Sequence, residues 1–147
     1  EANSHYRYAH AMGRYSQGIS IAKALKMGLA TKVRKALEAT LELAPKHAEA
    51  HAALGLYHAE IISKIGALVG GMTYGAKASE AEKHLATALK LTPDSPIAHF
   101  EHGNLLLLLH GDKKEDAAAT AYEKAGKLKP KDAMEKLDAE FAKAQLE

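Results

Sequence analysis

Nine histidines and no cysteine make metal binding the first chemical question for this chain. His47 and His51 lie four apart and His99 and His102 three apart, spacings that put both members of a pair on one side of a helix, as a chelating pair requires. No cysteine and no tight carboxylate–histidine cluster completes either pair. The histidines are therefore read as half-buried residues where helices meet, and no metal or other cofactor is expected.

The second chemical candidate is GALVGGMTYGAK, Gly66 to Lys77. A phosphate-cradling loop needs G-x-x-x-x-G-K-[ST] after a strand, so that backbone N–H groups surround the phosphates and a lysine reaches them. Gly70 and Gly75 have that separation, but Ala76 stands in the lysine's place and HAEIISKI before them reads as the end of a helix. What remains is an apolar insertion between paired helices, a lid or pocket wall formed by Leu68, Met72 and Tyr74 together with Val69. For covalent catalysis there is neither a Gly-x-Ser-x-Gly elbow nor a His-Glu-x-x-His pair. Glu80 and Glu82, two apart on a helix, do not face each other. The expectation is a protein that is not an enzyme.

Composition narrows the partners. Twenty basic and 18 acidic residues leave a formal net charge of +2, too weak a field to imply nucleic acid. No apolar run reaches the roughly 18 residues of a membrane span. The absence of cysteine removes disulfides and thiolate chemistry and fits either redox compartment, so location stays open between the cytoplasm and the cell envelope. The start at Glu1 suggests a trimmed or processed chain. With 147 residues, 47% of them hydrophobic and mostly Ala and Leu, the chain can bury a real core, and the composition favours helices.

The elements that position these residues repeat. ALEATLELAP (36–45), HLATALKLTP (84–93) and AYEKAGKLKP (121–130) are each an apolar helical ladder closed by Leu-x-Pro, the proline stopping the helix. AMGRY (11–15), ALGLY (53–57) and EHGNL (101–105) open matching units, with Gly13, Gly55 and Gly103 where two helices of a hairpin would cross closely. Asp94, Ser95 and Pro96 supply N-cap and first-turn chemistry. Helices are predicted at about 4–24, 30–43, 47–66, 77–91, 96–109, 114–128 and 131–145. The last carries an apolar stripe of Met134, Leu137, Phe141 and Ala144 for closing the stack, and the run Leu105 to Leu109 is placed at the centre of the core.

On these residues the chain resembles the tetratricopeptide repeat, with its W-x₂-L-G-x₂-Y, A-x₃-F and P pattern. In the second unit His51 takes the Trp place, followed by Leu54, Gly55 and His58, and then by Ala81, Leu85, Ala88 and Pro93. The resemblance implies an all-α fold: antiparallel hairpins in an α-α superhelix, units at about 6–45, 48–93 and 96–130, a capping helix at 131–145 and an insertion at 66–77, in one domain over 1–147. From glycine to closing proline the units run 32, 38 and 27 residues, so extra residues sit between the helices of each hairpin.

The resemblance further implies a concave groove that binds a protein or peptide. Carried over by position, the groove residues are Arg7, His10, Arg14 and Gln17, then Glu49 and Leu56, then Phe100 and Asn104. That assigns one basic end and an otherwise mostly apolar groove, suited to a peptide with an acidic end. The alternative is a small-molecule carrier or accessory subunit whose apolar cavity is closed by 66–77. A looser likeness is to repeat proteins of the bacterial cell envelope.

Overall fold

The computed structural model describes residues 1–146, the side chains of Gln17, Ile21 and Ala22 excepted. The chain is all-α, with no strand among the described residues. Helices α1 (Ala2–Gln17), α2 (Ile21–Lys26), α3 (Leu29–Leu43), α4 (Ala48–Ile65), α5 (Ala67–Tyr74), α6 (Ala78–Leu91), α7 (Pro96–His110), α8 (Glu115–Lys127) and α9 (Ala133–Ala144) follow in order, with a 3-10 turn, Gly111–Lys114, before α8. No described helix is long and apolar enough to cross a membrane.

Helix ends follow local chemistry. α3, α6 and α8 stop at Leu43, Leu91 and Lys127, each two or three residues ahead of a proline. The Thr40 and Thr92 hydroxyls donate back to the Ala36 and Ala88 carbonyls at 2.8 and 2.9 Å. α4 is capped by His47, whose Nδ1 accepts the Ala50 N–H at 3.2 Å. α7 is capped by Ser95, with Pro96 in its first turn. Asp132 caps α9 while Glu135 reaches back to the Lys131 N–H, a reciprocal cap.

Two expectations about elements change. The helix predicted over 4–24 is two helices, broken after Gln17, and Ser20 caps the second by accepting the Lys23 N–H. The insertion is itself mostly helical: α5 occupies 67–74 despite its glycines, because Gly70 is buried where a Cβ would stand 3.0 Å from Ile61 of α4.

α1 packs on α3, α4 on α6 and α7 on α8; α4 also touches α3 and α7, and α9 lies on α7 and α8. The α4–α6 pair is antiparallel, since His51 meets His84 while His58 meets Lys77. Three patches of core join these pairs: Leu37, Ala50 and Leu54; then Ala59, Leu85 and Leu105; then Ala118, Tyr122 and Ala142. Alanines outnumber leucines among the buried residues, so helices approach closely.

The glycines are not equivalent. A Cβ on Gly55 would stand 2.9 Å from the Ala81 carbonyl oxygen, and one on Gly103 would enter the Tyr122 ring, whereas Gly13 has nothing within 4 Å. Close crossing therefore explains two of the three. In the leucine run only Leu105 is fully buried; Leu108 and Leu109 flank the second core patch, and Leu106 and Leu107 the third. α9 packs through Ala139 and Ala142, leaving Met134, Leu137 and Phe141 exposed, so the apolar stripe does not face the stack. The small side chains win because they admit α9 close to α8, where Lys143 passes over Gly126.

Candidate functional site

Among the described residues, different helices build two open clefts. The first, of about 550 Å³, runs between α3, α4 and α6 and is lined by Arg34, Glu38, His58, Lys77, Glu80 and His84 among others. Arg34 Nε donates to Glu38 Oε1 at 2.7 Å, and its Nη1 donates to the Tyr74 carbonyl at 2.9 Å. The Tyr57 hydroxyl donates to the same carbonyl at 3.2 Å. Gly75, at φ +64°, turns the chain there directly against the Arg34 guanidinium. His58 Nδ1 accepts the Lys77 N–H at 3.3 Å, and burial, with His84 nearby, holds the His58 ring below the usual histidine range.

The insertion is thus held by its backbone. Of its expected wall residues, only Tyr74 is at the cleft edge, and it contributes a carbonyl. Leu68 and Met72 are 76% and 81% exposed, and neither lines either cleft. Apolar side chains on one short glycine-rich turn cannot all face α4, and here Gly70 takes the inward position. Arg34→Met is expected to speed chymotryptic cleavage within 67–74 by about tenfold. That factor corresponds to roughly 1.5 kcal/mol for one hydrogen bond from a charged group. Limited proteolysis followed by mass spectrometry measures it.

The second cleft, of about 360 Å³, lies between α4, α7 and α8, where Leu56, Leu107 and Leu108 surround Glu60, Glu101, Asn104 and Tyr122. Gly103 lets the Tyr122 ring lie flat on α7, and its hydroxyl donates to Asn104 Oδ1 at 2.9 Å. Asn104 Nδ2 in turn donates to Glu101 Oε2 at 2.9 Å. Burial pushes the Glu101 carboxyl up to about 7, Glu60 and Asp138 add to the rise, and the Asn104 bond opposes it. Among the described residues no Lys, Arg or His pairs with Glu101. Tyr6 on α1 feels the same surface: burial, then Glu49 and Glu101, push its phenol up to about 12.

The groove residues expected from the sequence divide accordingly. Leu56 and Asn104 line the second cleft, and Phe100 packs beside Tyr122 with ring centres 5.7 Å apart. Arg7, His10, Arg14 and Glu49 are exposed outside it, and the side chain of Gln17 lies outside the described residues. The centre of this cleft is acidic, with Glu60 and Glu101 in its lining. Glu101, Glu60 and Tyr122 also line this cleft and are not among the expected groove residues. The available signal was Glu101 with Asn104, a helical i, i+3 pair flanking Gly103.

The histidines at equivalent places share a bond. His51 Nε2 lies 3.0 Å from the Pro45 carbonyl and His99 Nε2 lies 2.7 Å from that of Pro93. Each ties a helix start to the proline six residues before it. Compared with protein-family models and with curated proteins, the chain matches none.

Proposed function

We propose that the hairpins are irregular tetratricopeptide-like repeats and that the chain is a binding module for a protein or peptide. In this reading the partner presents a lysine or arginine side chain to the cleft between α4, α7 and α8. The observation that carries the proposal is Glu101, a largely buried carboxylate kept without a cationic partner among the described residues, beside Glu60 and within leucine walls. A buried acid of this kind destabilises the chain once ionised, and such groups concentrate where a ligand supplies the missing charge. Leucine walls suit the alkyl stem of a basic side chain, whose charged end then meets the two carboxylates. A carrier closed by 66–77 is less well supported, because Leu68 and Met72 face solvent.

Selection from a random peptide display library tests this. Enrichment of Lys or Arg in the selected peptides, with affinity lost at least tenfold in Glu60→Gln/Glu101→Gln, is the expected result. Peptides without basic residues, or undiminished binding by the double variant, would overturn it.

A further inference from the structure

α4 turns one face to α6: His51, Gly55 and His58, spaced i, i+4 and i+7, meet His84, Ala81 and Lys77 in reverse order. Both histidines of α4 accept a hydrogen bond through Nδ1, but the two bonds answer a proton differently. His51 Nε2 faces the Pro45 carbonyl at 3.0 Å, and because a carbonyl can only accept, Nε2 carries the hydrogen and Nδ1 is bare. The His84 Nδ1–H therefore donates to it at 2.9 Å. An added proton settles on His84 Nε2, 3.8 Å from the Glu80 carboxylate, and leaves that N–H···N bond intact. The donor to His58 is instead the backbone N–H of Lys77, at 3.3 Å. Nδ1 is then the one nitrogen of the neutral His58 ring that can take a proton, and a proton there removes the acceptor outright.

The surrounding charges sharpen the difference. Lys77 is the N-cap of α6 and its side chain makes no capping bond, so an imidazolium at His58 stands against the positive end of the helix. The near-parallel His84 ring, with its centre 6.3 Å away, and Arg34 of α3 also oppose a charge on His58, whereas Glu80 of α6 and Glu38 of α3 favour one. Glu42 of α3 and Lys77 line the same cleft. Burial is the largest of these effects and holds the His58 ring below the usual histidine range.

We infer that His58 is a proton-operated catch on the junction between the insertion and α6. Neutral, it holds the Lys77 amide. In mild acid it lets that amide go, and the first turn of α6 lifts from α4 while the His51–His84 bond keeps the later turns in place. The released end carries Lys77 and Glu80, so the α3–α4–α6 cleft opens there. Because the folded ring binds a proton less tightly than an ordinary histidine at 6.5, the catch contributes above 6.5 and is lost as pH falls through the folded value. This inference is independent of the peptide reading, which concerns a different cleft.

Amide hydrogen exchange by NMR on the whole chain, corrected for the intrinsic rate at each pH, tests it. Between pH 7.5 and 5.0 the protection of Lys77, and of Ala81, whose N–H donates to the Lys77 carbonyl at 3.1 Å, is expected to fall about tenfold, with Leu85 and Ala88 little changed. His58→Asn places an amide oxygen where Nδ1 stood, keeps the bond at every pH and should flatten the response. Nitrogen shifts of the His58 ring in the unmodified chain cover the case where that variant unfolds: Nδ1 should be bare at pH 7.5 and gain its proton over the range in which Lys77 loses protection. Equal loss along the whole of α6, the same pH response in His58→Asn, or a ring that charges while Lys77 stays protected would overturn the catch.

Discussion

Glu101→Gln is expected to raise the stability of the chain at pH 8 by on the order of 3 kcal/mol and to leave it unchanged at pH 4. The carboxyl moves from 4.5 to about 7 on folding, and each tenfold change in proton affinity is worth about 1.4 kcal/mol. Because the folded value is raised, the folded state holds the proton more tightly than the unfolded chain does. The contribution is fully present below about 4.5 and is lost as pH rises through about 7. Glutamine mimics the protonated acid and can still accept from Asn104, so it keeps at high pH what glutamate loses. Urea unfolding of both proteins between pH 4 and 8 reads this directly. A gap that does not widen with pH would mean that Glu101 is solvated in the folded chain. The same charge is what a basic ligand would neutralise, so the peptide reading expects stability and binding to trade against each other here.

Gly55→Ala is expected to lose about 1–3 kcal/mol, the range for forcing an extra carbon into a packed interior. The new Cβ would stand 2.9 Å from the Ala81 carbonyl oxygen and 3.3 Å from the Leu85 nitrogen, both backbone atoms of α6. Only a separation of α4 from α6 relieves that contact. Gly13→Ala, with nothing within 4 Å, should instead gain roughly 0.5–1 kcal/mol from helix propensity. Thermal denaturation separates the two: melting falls in one variant and rises in the other. Equal effects would show that the α4–α6 crossing relaxes freely.

The contrast shows what was legible in the sequence. Gly13 and Gly55 stand in near-identical strings, AMGRY and ALGLY, yet only the second lies under a neighbouring backbone, because close approach belongs to the partner helix. Ends marked by Leu-x-Pro, and the start marked by Ser95 and Pro96, were readable to within two residues, since caps and prolines act locally. The break after Gln17 and the helix α5 were not, because the first depends on where α2 must turn onto α3 and the second on Gly70 seating beneath Ile61. Of the residues carried over by repeat position, Leu56 and Asn104 line the second cleft. Glu101 was passed over because an acid on a helix ordinarily faces water, and only the packing of α4, α7 and α8 around it makes this one half-buried. The stripe on α9 misled for a related reason: size admitted Ala139 and Ala142 to the interface where hydrophobicity pointed to Phe141.

One oxygen, the Tyr74 carbonyl, accepts from Arg34 on α3 and from Tyr57 on α4. Mechanically it is a pin through two neighbouring hairpins, placed at the end of the insertion. A load on α5 is delivered to both helices at once, and a change in their separation must stretch or bend one of two bonds to a single atom. The insertion therefore acts as a strap across the joint between α3 and α4, stiffening it at the mouth of the cleft that His58 and His84 line.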